Sequence, residues 1–203
     1  MTLLRIQPIV EGHGEVEAVP ILLRRIYGEL LATYDVDILP PLRHPKTRLV
    51  RDGELQRFAG VAANKLRARR PTAHSVVLLL LDGDGDLPCV LGPQLLERAK
   101  AGAGEISAMA VIAHLEFETW FVAAASSLAT YLDLRGAPAP TAPETHRARK
   151  KWIEDRFRGV KYSETLDQPK LTAKMDLRAC RASSPSFDKL CRDLARELSL
   201  ARG

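Results

Sequence analysis

The sequence predicts an α/β fold with a central, mostly parallel sheet flanked by helices, followed by a C-terminal helical extension. Three observations carry that prediction. Short apolar runs alternate with stretches of helical period from residue 3 to about residue 132, the pattern of strand–helix–strand units with helices on both faces of one sheet. One run, Val76-Val77-Leu78-Leu79-Leu80-Leu81, is apolar throughout and suits a central strand buried on both faces. It ends in Asp82-Gly83-Asp84-Gly85-Asp86, too dense in glycine and charge to continue a helix.

Taken in order, LLRIQPIV (3–10) reads as the first strand. Pro8 has no N–H for a ladder, so it predicts an edge position, a bulge or a strand end. After the turn EGHGE, a helix over 15–32 presents Val16, Val19, Leu22, Leu23, Ile26 and Leu30 on one face. Pro20 either kinks this helix or marks its first turn. YDVDILP (34–40) is the second strand and GELQRFAGVAANKLRARR (53–70) the second helix; the opening apolar run is then the third strand. PQLLERAKA (93–101), SAMAVIAH (107–114) and FETWFVAAASSLATYL (117–132) supply the third helix, fourth strand and fourth helix.

GAPAPTAPETH (136–146) has three prolines and no apolar period, which marks a linker. It divides an α/β domain, 1–135, from a basic helical extension, 147–203, packed on it. Three helices are expected there: KKWIEDRF, QPKLTAKM and SPSFDKLCRDLARELSL, the last with Ser184 as N-cap and Pro185 in its first turn.

With 203 residues, 46% of them hydrophobic, the chain can bury one sizeable core or form a domain plus a small annex. No apolar run approaches the ~18–20 residues of a membrane span, and no basic region followed by an apolar core opens the sequence. A cytoplasmic protein with no membrane partner is expected. Cys89, Cys180 and Cys191 are odd in number and never spaced C-x-x-C, which argues against a disulfide framework or structural zinc. The net charge is +5, and Arg147, Arg149, Lys150, Lys151, Arg156, Arg158 and Lys161 crowd one stretch against only Glu154 and Asp155. That stretch is either a solvated face or a phosphate-binding one; Lys161, Tyr162, Lys170 and Lys174 stand open to the same two readings. Aromatic content of 5% weighs against a base-stacking single-strand module.

The acidic residues carry the chemistry. Asp82, Asp84 and Asp86 match positions one, three and five of an EF-hand loop, but Leu87 and Pro93 stand where glycine and glutamate are needed. The D-x-D pair alone also suits a nucleotide-sugar transferase, or a turn whose aspartates bond local amides. Glu11 follows the first strand directly, and Glu15 opens the first helix, where the dipole favours negative charge. Glu116 and Glu118 leave the fourth strand as alternate residues, sharing a face if the strand runs on that far. In a parallel sheet all these strand ends open on one rim, where ligands of open α/β sheets bind. Carboxylates gathered there repel by ~1–4 kcal/mol per pair, so the cluster calls for raised pKa values or a cation. Oxygen-only donors suit Mg²⁺ or Mn²⁺, and such ions commonly serve phosphate chemistry.

A glutamate-glycine after the first strand and an apolar strand ending in D-x-D, in this α/β order, resemble the Toprim domain of topoisomerases, DnaG-type primases and overcoming-lysogenization-defect (OLD) nucleases. VEGHGEVEAVPILLRRI, with Glu15 four residues after Glu11, is similar to the OLD-type version. VEGHGE, LLLLDGDGD, HLEFETWF and YSETLDQPKLTAKMDLRACRASSPSFDKL together resemble domain-of-unknown-function family 4276 over nearly the whole chain. The resemblance implies a Toprim-like Rossmannoid fold and an Mg²⁺- or Mn²⁺-dependent nuclease, in phage defence or genome maintenance. It implies that Glu11 binds metal or acts as general acid/base and that Asp82 and Asp84 hold the ion. Glu15 with Glu116 or Glu118 would complete a second metal position. Asp86 would support the pair from outside, and His13 is a proton shuttle, a further ligand or a loop residue bonded to backbone. Nucleic acid, DNA ahead of RNA, is the expected partner, received by Arg147, Arg149, Lys150, Lys151, Arg158 and Lys161. OLD proteins join this domain to an ABC-type ATPase; no G-x-x-x-x-G-K-[ST] occurs here, so an ATPase would be a separate subunit. A non-catalytic or conditionally active partner of such an ATPase, and a hydrolase of nucleotides or other small phosphorylated molecules, are the alternatives.

Overall fold

The structure, a computed structural model, describes residues 4–69, 74–135, 139–145 and 149–203. It is an α/β fold built on a five-stranded sheet. The strands are β1 (Leu4–Val10), β2 (Val36–Ile38), β3 (Leu42–Arg43), β4 (His74–Asp82) and β5 (Ser107–Ala113). Their order is β2-β1-β4-β5, with β3 also pairing β1, and every pairing between them is parallel. The helices are α1 (His13–Arg25), α2 (Lys46–Leu49), α3 (Glu54–Arg67), α4 (Pro88–Ala103), α5 (Glu118–Ala123), α6 (Arg149–Glu154), α7 (Glu164–Lys174), α8 (Leu177–Ser183) and α9 (Pro185–Arg202).

The strands alternate faces, and each face has its own layer. Leu4, Ile6, Val76, Leu78, Leu80, Met109 and Val111 pack with α1, α5 and the C-terminal helices. Ile9, Val77, Leu79, Leu81, Ala110 and Ile112 pack with α3 and α4. The six apolar residues 76–81 are all buried, as a strand with two covered faces requires, and each such side chain contributes roughly 1.5–3 kcal/mol relative to exposure. Among the described residues, no helix is long and apolar enough to cross a membrane.

Pro8 departs from expectation, because β1 has neighbours on both sides and Pro8 pairs Leu78 mid-strand. The cost is avoided by a gap. Leu4 N–H, Ile6 C=O and Val10 C=O all bond toward the β2/β3 side, so the N–H that Pro8 lacks would point where β2 has ended and β3 not begun. Gln7 Nε2 fills that break by donating to the carbonyls of Pro8 (3.1 Å) and Pro40 (2.8 Å).

The first helix starts earlier than expected, at His13, continues through Pro20 and ends in a π-type turn, Ile26–Leu30. The fourth helix is shorter, Glu118–Ala123 followed by a 3₁₀ turn, Ala125–Leu128. The C-terminal helices share the sheet's core: Leu171, Met175, Cys180, Phe187, Leu190 and Leu194 are buried in it. Ser184 caps α9, its Oγ accepting the N–H of Phe187 at 3.3 Å.

Candidate functional site

The parallel arrangement brings the carboxyl ends of β1, β4 and β5 together, and with them most of the expected acids. Glu15 is buried in the first turn of α1, where its Oε2 accepts the N–H groups of Glu11 (3.0 Å) and Gly12 (3.2 Å). This bond closes the β1–α1 turn and aims Glu11 at the rim. Burial pushes the Glu15 carboxyl up to about 7, against the pull of those two amides and with help from the charges of Glu11 and Glu118. Asp82 is the last residue of β4. Burial first, then the charges of Glu15, Glu118, Glu11 and Asp84, hold its carboxyl well above the ordinary range.

Glu118, buried in the first turn of α5, has its Oε1 bonded by the Tyr162 hydroxyl (2.8 Å) and Gln168 Nε2 (3.0 Å). Burial raises its pKa; those two donors oppose the rise. Glu11 Oε1 accepts the backbone N–H of Lys46 at 3.2 Å, while its Oε2 is buried without a hydrogen-bond partner. Burial raises Glu11 too, with the charge of Asp84 adding to it.

Two glycines let this assembly close. A Cβ on Gly14 would lie 2.3 Å from Gln168 Oε1 and 2.5 Å from the Glu164 carbonyl, so α1 meets α7 only because residue 14 has none. A Cβ on Gly83 would lie 2.9 Å from the carbonyl of Ala113, which the Gly83 N–H bonds at 2.8 Å. The turn after β4 is thereby laid against the end of β5.

Beyond that turn the surroundings change. Asp84, exposed and at φ 51°, donates its N–H to Leu115 C=O at 2.8 Å. Lys46 reaches it from α2: Nζ lies 2.9 Å from Asp84 Oδ2, 3.2 Å from Asp86 Oδ2 and 3.0 Å from Gly83 C=O. Lys46 is itself buried. Burial disfavours its charge, yet the bonds and charges of Asp84 and Asp86 outweigh this and its pKa is raised.

Of the alternate glutamates, Glu118 joins the cluster and Glu116 turns away. β5 stops at Ala113 and Leu115 takes φ 65°, so the two do not share a strand face. Glu116 Oε2 instead accepts the N–H of Lys150, near the start of α6, at 2.8 Å. His13 is exposed at the start of α1.

The basic stretch does not form one face. Arg149 is fully buried, its Nε donating to Pro143 C=O at 2.9 Å, which removes it from any surface that meets a polymer. Lys150 pairs with Glu164, Lys151 with Asp155 and Arg158 with Asp133, while Lys161 is exposed. Arg147 lies outside the described residues. Tyr162 is no surface contact either, being buried and committed to Glu118.

Lys46 and Gln168 are site residues that the sequence does not announce, and Tyr162 serves Glu118 instead of a phosphate. HPKT around Lys46 carries no periodicity or motif to announce it. Among the described residues, no three His, Cys, Asp or Glu side chains form a set that holds a metal ion as they stand. The donor chemistry nonetheless suits a hard divalent ion: all-oxygen, acidic, and with one buried carboxylate oxygen, Glu11 Oε2, left without a partner.

No curated protein and no solved structure matches the chain. The sequence profile described as "Domain of unknown function (DUF4276)" matches residues 10–195. With all but its two ends covered, the chain belongs to the DUF4276 family.

Proposed function

We propose that the rim is the active site of an Mg²⁺- or Mn²⁺-dependent phosphodiesterase that hydrolyses nucleic acid. One observation carries this reading. Four carboxylates from three strand ends, Glu11, Glu15, Asp82 and Glu118, are gathered where burial raises the pKa of each, and the charges of the others raise Glu15 and Asp82 further. A fold does not gather like charges in a poorly solvated place without cost, and a divalent cation is the natural compensation. The Toprim resemblance of the Glu11-Gly12 and Asp82-Gly83-Asp84 motifs points the same way.

In this reading Asp82, Glu15 and Glu118 hold the ion, which would polarise a phosphoryl oxygen and lower the pKa of a bound water. Tyr162 and Gln168 keep the Glu118 carboxylate oriented, leaving its second oxygen for the site. Glu11, with its unpartnered Oε2 and raised pKa, is the base that takes a proton from the attacking water. Exposed Lys151, Arg158 and Lys161 supply positive charge for a phosphate backbone, so binding should weaken as salt is added.

The test is incubation of the purified chain with plasmid DNA, single-stranded DNA and RNA, in Mg²⁺, Mn²⁺ or chelator, beside Asp82→Asn. Metal-dependent cleavage lost in the variant is the expected result. Cleavage that persists in chelator, or in Asp82→Asn, would refute the assignment. Hydrolysis of mononucleotides without polymer cleavage would move the substrate class to small phosphorylated molecules.

A further inference from the structure

We propose that Lys46 is a built-in cation that occupies the outer half of the rim, so that the site takes one divalent ion instead of two. This rests on the cation-dependent reading above and adds a division of labour within it. Around Lys46 Nζ stand Gly83 C=O at 3.0 Å, Asp84 Oδ2 at 2.9 Å and Asp86 Oδ2 at 3.2 Å. One carbonyl and two carboxylates facing a common centre are the ligands a hard cation would choose. Here that centre is filled by an ammonium of the chain itself.

The lysine is committed to this place. Its side chain is only 8% exposed, and its backbone N–H is anchored on Glu11 Oε1 at 3.2 Å. α2 is a single turn following Pro45, so the anchor fixes where the side chain begins. One residue thus ties the end of β1 to the turn after β4 and supplies the positive charge that Asp84 and Asp86 need. Among the described residues no ammonium or guanidinium pairs with Asp82, Glu15 or Glu118; Glu15 accepts two backbone amides, and Glu118 a tyrosine and a glutamine. The charge deficit is therefore on the inner half, and Lys46 is a positioning residue: it holds the Asp84 turn and Glu11 in place beside the ion.

The experiment is Mn²⁺ titration of the full chain by calorimetry, with bound ions counted independently by electron paramagnetic resonance. The wild-type chain should bind one Mn²⁺, and Lys46→Met, which keeps the apolar stem and removes the charge, should bind two. Two ions on the wild type, or a single ion of unchanged affinity on Lys46→Met, would overturn the role of Lys46 and leave the cation reading intact. No binding to the wild type would overturn both. A second pair of variants does not depend on how well Lys46→Met folds. Asp82→Asn should weaken Mn²⁺ binding by at least the ~10- to 100-fold that loss of even an outer partner costs. Asp84→Asn should weaken it by less than ~5-fold, as for an exposed carboxylate that already has its cation. Equal losses would place Asp84 on the metal and refute the division.

Discussion

Asp82 and Asp84 stand two residues apart and occupy opposite electrostatic surroundings. Asp82 ends a strand covered on both faces, among Glu15, Glu118 and Glu11, with its pKa held well up. Asp84 lies in an exposed turn with the Lys46 ammonium 2.9 Å away. A D-x-D motif thus has two inequivalent members: the last residue of a buried strand inherits the low polarity of the core, and the turn residue inherits solvent and a partner. The inner half of the rim is charge-deficient and the outer half balanced, and that contrast is what any function of the site must use.

The largest break in the contrast should come from Asp82→Asn. It removes the most crowded carboxylate, so metal-dependent cleavage should fall at least ~100-fold, the upper end of what losing even an outer partner of a metal ligand costs. Thermal stability of the metal-free protein at pH 8 should rise, because a carboxyl that folding holds well above its ordinary pKa is gone. A melting curve and a rate, measured on one preparation, read the two opposite signs. Asp84→Asn should lower stability slightly, because Lys46 loses one of its two charged partners.

Next is pH. The folded-state pKa of Glu15, about 7, lies above its unfolded value of ~4.3. The folded state therefore holds more protons between those values, and stability falls as pH rises through that window. Glu11, Asp82 and Glu118 are shifted in the same direction. Thermal midpoints should drop from pH 5 to pH 8 without metal, less steeply in Glu15→Gln, and Mn²⁺ should restore more stability at pH 8 than at pH 5. A midpoint that rises with pH across that range would contradict the charge deficit.

The convergence of Glu11, Glu15, Asp82 and Glu118 was legible in the sequence because parallel topology leaves little choice: every strand opens its carboxyl end on the same rim. The apolar run before Asp82 and the strand–helix alternation sufficed for that. Lys46 was not legible, since it enters from a two-residue strand and a four-residue helix, too short to show a period. Arg149 reads as one more charge in a basic run, and only the packing of α6 beneath the 139–145 segment reveals a buried guanidinium. Tyr162 and Gln168 reach Glu118 because Gly14 lets α7 lie against α1, a tertiary contact with no local signal. The choice between Glu116 and Glu118 turned on where β5 stops, and strand ends are the least certain part of any pattern.

A smaller effect isolates the support of the inner half. Tyr162→Phe removes one of the two side-chain donors to the Glu118 Oε1. A buried bond to an ionised acceptor contributes about 1.5–3 kcal/mol, but a protonated Glu118 needs the donor less. The destabilisation by denaturant titration should therefore be about 2 kcal/mol at pH 8 and smaller at pH 5, while Asp84 and Lys46 are untouched. Equal loss at both pH values would mean that Glu118 keeps one protonation state throughout.

The smallest expected effect lies on the surface. Lys161 is exposed, so Lys161→Ala should change stability by no more than ~0.5 kcal/mol. If it meets a phosphate, the variant should bind nucleic acid more weakly across all sequences, with the salt dependence of log K reduced by ~1. Arg149→Ala should behave in the opposite way, changing stability while leaving the salt slope unchanged, because its guanidinium faces the interior. The two substitutions share a charge and a segment, so a difference between them would separate the part of the basic run that meets a ligand from the part that only packs.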